Sequence, residues 1–194
     1  MKRVLTALLA ASLIITLGAC ASTPAADGSS SASAYTTPDQ SLIPKEAPAT
    51  VVDVDAASFA DQFGEYIFKV GEGPTWCTIS PAIDGDNSGG NVICEQNEAA
   101  ALYKPIPIPA SCDYSFGYQV RLMGVPGAVE GTDTASFTCA SGFYADPSEA
   151  PILAAGQRIT VAPFKCFVED VNVRCENETG QYIALGPKVW ALGN

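Results

Sequence analysis

Carboxylates and cysteines are the residues through which this sequence could do chemistry. Its 194 residues include 21 Asp and Glu, seven Cys and no His, which excludes Ser-His-Asp and Cys-His catalysis. A pair of carboxylates could still hydrolyse a glycosidic bond. The candidate carboxylates are Asp113, Glu130, Asp133, Glu169, Asp170, Glu176 and Glu178. Nothing in the sequence marks any of them as buried or as paired with another carboxylate. We therefore predict no catalytic residue and a protein that is not an enzyme.

Cys20 follows a segment that is typical of a lipoprotein leader. The basic pair Lys2-Arg3 precedes an uncharged run, residues 4–17, that is shorter than the ~20 apolar residues of a membrane-spanning helix. The run ends in Leu17-Gly18-Ala19-Cys20, which resembles the lipobox of bacterial lipoproteins. The resemblance implies that residues 1–19 are removed as a signal peptide and that Cys20 carries a diacylglyceryl thioether with palmitate-type chains. A secretory signal cleaved elsewhere and an uncleaved anchor are the alternatives.

The six remaining cysteines predict crosslinks. An even number of cysteines in an exported chain indicates disulfides, although six allow many connectivities. The sequence has no C-x-x-C spacing and no histidine that would favour zinc. Predicted strands that neighbour each other in the chain each present a cysteine, most clearly in the short hairpin around residues 169–172. We therefore predict bonds between sequence neighbours: Cys77–Cys94, Cys112–Cys139 and Cys166–Cys175.

Hydrophobic periodicity predicts strands as the elements that carry these cysteines. Apolar residues alternate with polar ones over residues 112–122 and 135–139, which gives each strand one apolar face. A short helix over residues 55–63 and an extended, proline-rich crossing at residues 105–109 are also predicted. Further strands are predicted at residues 66–70, 76–79, 91–94, 164–168, 173–175 and 182–184. Two of the hairpins share the sequence N-V-x-C-E, at residues 91–95 and 172–176. The two hairpins are either copies of one unit or similar by chance.

Composition divides the chain after its leader into two parts. Residues 20–50 consist of the lipid-bearing cysteine and a disordered linker rich in Ala, Ser, Thr and Pro. Residues 51–194 are long enough for a single domain with its own core. Loss of Lys2-Arg3 with the leader would leave 21 acids against eight bases, a net charge of −13. Such a charge argues against nucleic acid as a partner.

One loop matches the spacing of a calcium site. The run Asp84-Gly85-Asp86-Asn87-Ser88-Gly89, with Glu95 at the twelfth position, fits an EF-hand loop. Residues 91–95 are predicted as a strand, however, and a strand rises about 3.3 Å per residue, which carries Glu95 away from the ion. We therefore expect no cofactor, with Ca²⁺ held by Asp84, Asp86, Ser88 and other ligands as the alternative.

Four aromatic residues are candidates for either the core or a ligand surface. They are Trp76, Tyr103, Tyr144 and Trp190. Aromatic side chains at strand spacing supply much of the core of a β protein, and an exposed group of them would stack against sugars or peptides.

The segment around the last two cysteines resembles a known family. The positions that carry the resemblance are Gly156, Ile159, Val161, Phe164, Cys166, Val173, Cys175, Asn177, Thr179, Gly180, Gln181 and Tyr182. Together with the earlier cysteine strands they resemble actinobacterial secreted and lipoprotein domains whose function is uncharacterised. Gln181 stands where that family has a histidine, and the loop between Cys77 and Cys94 is longer and more acidic. The resemblance implies an all-β fold and supports the disulfide pairing, but it implies no activity.

These observations predict an all-β fold, a small disulfide-stapled β-sandwich or barrel of roughly eight to ten strands with at most one short N-terminal helix. We expect a monomeric lipoprotein on the extracytoplasmic face of the cell membrane. Its expected role is that of a non-catalytic binding module whose partner is an envelope protein or glycan. The alternatives are a carboxylate-dependent hydrolase of envelope polymers and a purely structural surface protein.

Overall fold

The computed structural model describes residues 35–45, 51–83, 89–128 and 133–194. The predicted signal peptide, the lipid site at Cys20, the loop residues Asp84, Asp86 and Ser88, and Glu130 lie outside the described residues. Within the described ranges, no helix combines the length and the apolar character that crossing a bilayer requires.

The described residues confirm the all-β prediction. Three short 3-10 helices occur within these residues, at Gln40–Leu42, Ala56–Phe59 and Glu98–Ala100, and the second covers only the first half of the helix predicted over residues 55–63. The described part of the chain has twelve strands: β1 (Val52–Asp53), β2 (Tyr66–Val70), β3 (Thr75–Ser80), β4 (Asn91–Gln96), β5 (Ser115–Met123), β6 (Ala135–Ala140), β7 (Ile152–Leu153), β8 (Gln157–Val161), β9 (Phe164–Glu169), β10 (Asn172–Asn177), β11 (Tyr182–Gly186) and β12 (Val189–Gly193).

The strands form two six-stranded sheets built on the same plan. Strands β2 to β6 pair in chain order as an antiparallel meander, here called the first meander, and β8 to β12 form the second meander. Each sheet is completed by a short parallel strand at its edge. Strand β1, which precedes the first meander, pairs with β8 of the second, and β7, which precedes the second meander, pairs with β2 of the first. The two meanders therefore exchange edge strands.

The core lies between the two sheets and contains two of the disulfides. Cys77 faces Cys94 across β3 and β4, and Cys166 faces Cys175 across β9 and β10. All four residues are fully buried, and the Sγ atoms of Cys94 and Cys175 lie 3.9 Å apart. The crosslinked hairpins of the two meanders thus pack against each other through their equivalent cysteines.

Two buried amides reinforce this symmetry. Gln96 lies two residues after Cys94, and Asn177 lies two residues after Cys175. The Gln96 side chain donates to the carbonyl of Gly186 (3.4 Å), and the Asn177 side chain donates to the carbonyl of Met123 (3.0 Å). Each amide therefore reaches from its own meander to the end of a strand in the other. This arrangement favours the view that the N-V-x-C-E hairpins are copies of one unit.

All three predicted disulfides are confirmed. The bond Cys77–Cys94 has an S–S distance of 2.04 Å, Cys112–Cys139 one of 2.07 Å and Cys166–Cys175 one of 2.09 Å. Unlike the other two bonds, Cys112–Cys139 lies outside the core. It joins the segment before β5 to β6 at the margin of the first sheet, where Cys139 is exposed.

The alternation predicted over residues 112–122 is interrupted in the middle. Val120 and Leu122 are buried in the core as predicted, but the register with β6 shifts between Phe116 and Val120. Gly117 has a φ of 95° there, and a Cβ atom on it would come within 3.2 Å of the Ile106 side chain. The bulge turns Tyr118 away from the core and towards the cleft described below.

Residues 35–45, inside the predicted linker, follow the surface of the domain. Thr36 pairs with the segment around Tyr103, since its N–H donates to the carbonyl of Leu102 (2.9 Å) and its carbonyl accepts from Lys104 (2.9 Å). The Asp39 N–H donates to the carbonyl of Lys188 (3.0 Å). These backbone contacts place this part of the chain on the domain rather than in a free coil.

Candidate functional site

One connection covers the outer face of the first sheet. Strand β6 lies at one edge of that sheet and β7 at the other, so residues 141–151, here called the strap, must cross from edge to edge. They cross the face turned away from the core. Side chains alternate along a strand, so Trp76 and Glu95, which adjoin the inward-facing Cys77 and Cys94, point outward beneath the strap.

Glu95 is the buried carboxylate at the centre of this face. It is 1% exposed although it points away from the core. Its oxygens accept hydrogen bonds from Trp76 Nε1 (2.9 Å), Gln119 Nε2 (2.8 Å), the Tyr144 N–H (2.9 Å) and the Ala145 N–H (3.1 Å). Every one of these partners is an N–H donor, so both oxygens serve as acceptors, as in an ionised carboxylate. Glu95 thereby holds the strap against β3, β4 and β5.

Two side chains beside Glu95 complete the strap's attachment. The Trp76 indole N–H donates also to the carbonyl of Ala145 (3.1 Å), and the ring meets that of Phe143 edge to face, with centroids 4.9 Å apart. Farther along the strap, the Tyr144 hydroxyl donates to Glu65 (2.8 Å), which also accepts from Ser80 (2.7 Å). The strap is thus fixed by hydrogen bonds at both its backbone and its side chains.

A cleft opens between the strap and β5. Its volume is about 230 Å³, and Glu95, Glu98, Ser115, Tyr118, Gln119 and Phe143 line it. Gln119 is held in place because its amide oxygen accepts from the Thr138 hydroxyl while its amide nitrogen donates to Glu95. Phe143 is 57% exposed and forms one wall. We call this space the strap cleft.

Tyr118 forms the opposite wall of the strap cleft. Its partial burial and the adjacent Glu98 carboxylate, to which its hydroxyl donates, raise the pKa of Tyr118 to about 12. The hydroxyl therefore remains protonated and bonded to Glu98 at neutral pH. A second, wider cleft of about 410 Å³ lies on the other side of Phe143, between Trp76, Tyr144 and Asp146. Phe143 is shared by the two clefts.

The acids that the sequence offered as candidates, without marking any as catalytic, lie elsewhere. Asp113, Asp133, Glu169, Asp170 and Glu178 are exposed. Glu176 occupies the position in β10 that Glu95 occupies in β4. It forms ion pairs with Lys165 (2.7 Å) and Arg174 (3.2 Å), and the Arg174 guanidinium stacks over the Tyr182 ring at 4.1 Å. The structure therefore brings none of these described acids together with another as a catalytic pair.

Glu95 is in a strand, as predicted, and is unsuited to the calcium loop. Strand β4 contains Asn91–Gln96, and the hydrogen bonds to Trp76, Gln119 and the strap already use both oxygens of Glu95. The EF-hand match at the twelfth position is therefore accidental. The remaining predicted ligands, Asp84, Asp86 and Ser88, are outside the described residues.

The four aromatic candidates do not share one surface. Tyr103 is fully buried, and its hydroxyl donates to the carbonyl of Gly117 (2.9 Å). Trp190 packs edge to face on Phe137 between the sheets, with ring centroids 5.0 Å apart. Trp76 is 4% exposed beneath the strap, while Tyr144 is 47% exposed. Phe143, which the sequence reasoning did not single out, is the exposed aromatic wall of both clefts.

No protein-family model, no curated protein and no solved structure matches this chain. The resemblance to actinobacterial lipoprotein domains therefore stays a prediction.

The role of Glu95 was missed because burial by a distant connection leaves little trace in sequence. The sequence offers Glu95 only as the last residue of a calcium loop, and its strand pattern predicts an exposed side chain. The available signal was Phe143-Tyr144, an aromatic pair in a connection that otherwise has only small, polar and proline residues. Aromatic residues in a long connection favour its packing on a sheet face.

Proposed function

We propose that this protein is a non-catalytic binding module of the cell envelope, anchored through lipid on Cys20 to the extracytoplasmic face of the cell membrane. The observation that carries the proposal is the strap cleft, where a fixed aromatic ring and several hydrogen-bonding side chains converge on one small space. Such a combination of an apolar wall and a few oriented polar groups is typical of ligand sites.

Three features support binding rather than catalysis. Both oxygens of Glu95 are occupied by N–H groups of the fold, which suits a structural acceptor better than a group that must transfer protons. Glu98 is exposed and is bonded by Tyr118. The disulfides and the strap contacts fix the surroundings of the cleft, and a preformed site loses little conformational entropy on binding.

Calorimetry with fractionated envelope polymers tests the proposal. The full-length exported protein, purified in detergent, should bind at least one fraction and release no product from it. Phe143→Ala should weaken that binding, while Phe63→Ala, which removes an 81% exposed phenylalanine away from the cleft, should leave it unchanged. Equal binding by the two variants would contradict the site, and release of cleaved polymer would favour the hydrolase alternative.

The anchor is tested separately. Cys20→Ser removes the sulfur that the lipid would modify and should shift the protein from the membrane fraction to the soluble extracytoplasmic fraction. Membrane retention of this variant would contradict lipid attachment at Cys20 without bearing on the strap cleft.

A further inference from the structure

We propose that the strap cleft binds the organic ammonium group of its ligand. This inference rests on the proposed binding function and adds the chemical class of the group that enters the cleft.

The charged side chains of the cleft are all acidic. Among the described residues that line it, Glu95 and Glu98 are the charged ones, and they are joined by neutral amides and hydroxyls. Glu95 accepts hydrogen bonds from neutral donors in the described part of the chain, and no cation there forms an ion pair with it. Because Glu95 is buried, water screens its field only weakly on the side of the cleft.

Both walls of the cleft are aromatic. Phe143 stands on the strap side and Tyr118 on the β5 side. The face of an aromatic ring attracts an ammonium or guanidinium group within about 6 Å of its centre. Two rings and two carboxylates around a space of about 230 Å³ match a compact cation better than a neutral or anionic group.

The second meander shows the same chemistry with the cation supplied by the protein. Glu176, the equivalent of Glu95, is balanced by Lys165 and Arg174, and Arg174 stacks over Tyr182. In the first meander, the residue opposite Glu95 is Trp76 where Glu176 faces Lys165. The residue two before it is Ile93 where the second meander has Arg174. At these two positions the first meander has no cation. Arg121, which lies opposite Ile93 on β5, forms no ion pair with Glu95 within the described residues. The place next to the glutamate that a cation occupies in the second meander is therefore left to a ligand.

The test uses three small probes: butylammonium, choline and the neutral 3,3-dimethylbutanol, in which a carbon atom replaces the nitrogen of choline. Each is titrated into the full-length protein in detergent, and binding is followed through the amide NMR signals of Gly142 and Phe143 and the side-chain amide of Gln119. The ammonium probes should shift these signals saturably, and the neutral probe should not at the same concentration. Whichever ammonium probe binds more tightly identifies a primary or a quaternary amine as the natural group.

Matched variants separate charge from shape. Phe143→Leu removes the ring but keeps apolar bulk and should weaken ammonium binding about twofold to fivefold, whereas Phe143→Tyr should restore it. Glu98→Gln should weaken binding by a similar factor, roughly twofold to fivefold. Glu149→Gln removes one exposed acid of the strap that does not line the cleft and should have no such effect.

The outcomes distinguish the two proposals. Equal binding of the neutral and charged probes would overturn the ammonium assignment and leave an apolar cleft. If none of the three probes binds but polymer binding depends on Phe143, the ammonium assignment is overturned and the proposed binding function stands. Failure of the probes and of every envelope fraction would overturn both.

Discussion

Glu95 and Glu176 lie at the same position of two equivalent hairpins, and they have opposite surroundings. Each follows the second cysteine of a crosslinked strand pair and points away from the core. Glu176 lies at the protein surface and pairs with Lys165 and Arg174. Glu95 is covered by the strap and receives only N–H groups within the described structure. The same position of the hairpin therefore forms surface ion pairs in the second meander and binds the strap in the first.

The difference arises in the connections rather than in the strands. The second meander is joined by tight turns, such as Asp170-Val171, where Asp170 adopts a φ of 55°, and Pro187-Lys188. The first meander has long connections: residues 97–114 carry the buried Tyr103, and the strap continues from β6. Connections tolerate insertion better than strands do. The candidate site therefore lies where the first meander departs from the shared plan.

The largest expected effect is on stability when each glutamate is removed. Glu95→Ala should lower the free energy of unfolding by about 3–5 kcal/mol, because several buried N–H groups lose their acceptor together. Glu176→Ala should lower it by about 0–1 kcal/mol, as is usual for ion pairs that water reaches. Urea unfolding measures both without the charge screening that guanidinium would add. Glu95→Gln keeps the shape of the side chain and is the control. Its loss in the free energy of unfolding should lie between those of the two alanine variants. Equal losses for the two alanine variants would refute the contrast.

The next effect concerns the two stacked disulfides. Replacing both cysteines of either bond with alanine should cost about 3 kcal/mol, with Cys77–Cys94 about 0.5 kcal/mol above Cys166–Cys175 because it closes the longer loop. The sequence separations are 17 and 9 residues.

The losses in stability from removing Cys77–Cys94 and Cys166–Cys175 should not be additive. The sulfurs of Cys94 and Cys175 are 3.9 Å apart, and contacting groups couple by about 0.5 kcal/mol or more. The control cycle combines Cys77–Cys94 with the marginal Cys112–Cys139, where the two losses should add. A coupling energy of zero in the first cycle would show that the stacked bonds act independently.

A smaller effect is expected in alkaline solution. Burial raises the pKa of Tyr103, although the hydrogen bond from Gln96 opposes the shift. The folded state therefore keeps a proton that the unfolded chain loses near pH 10. The stability due to this group is complete below about pH 10 and falls by about 1.4 kcal/mol per pH unit above it.

Tyr103→Phe checks this dependence. The variant should lose about 1 kcal/mol at neutral pH, because Gln96 and Gly117 each lose a hydrogen bond to the hydroxyl. It should also lose stability less steeply than the wild type between pH 10 and 12 in urea unfolding. Tyr114→Phe, at an exposed position, controls for loss of one hydroxyl. An unchanged slope in Tyr103→Phe would contradict the assignment of the alkaline loss to this residue.

The smallest effect lies at the edge strand β1. The Arg158 guanidinium binds both oxygens of Asp53 (2.6 and 2.8 Å) and lowers the pKa of that carboxyl. The small stabilisation from this pair is therefore present at neutral pH and is lost as the pH falls through the lowered pKa. NMR titration of the Asp53 carboxyl should show the low value, and Arg158→Gln should raise it. Asp39, whose pKa is lowered by Ser41, is the internal control and should not change.

The disulfide hairpins were predictable because the relevant information is local. Cys77–Cys94 and Cys166–Cys175 lie on neighbouring strands whose alternating pattern turns the cysteines to the same side. The structure confirms these two bonds and also Cys112–Cys139, although Cys112 precedes β5 rather than lying in it. The all-β fold follows from the same short-range patterns.

The candidate site was less predictable because it depends on packing between distant segments. The burial of Glu95 comes from residues about fifty positions later in the chain, Tyr144 and Ala145. The bulge at Gly117 that turns Tyr118 into the cleft breaks an alternation that the sequence shows as continuous. Contacts of this kind are set by the tertiary fold, and strand periodicity does not encode them.

The reciprocal placement of β1 and β7 makes the two meanders interdependent during assembly. Neither meander can complete its own sheet from strands contiguous with it, since each needs a short segment that leads into the other. A chain cleaved within the strap would yield two fragments that each expose an unfilled sheet edge and half of a shared core. Such fragments should remain largely unfolded when separate and recover native structure by complementation when mixed.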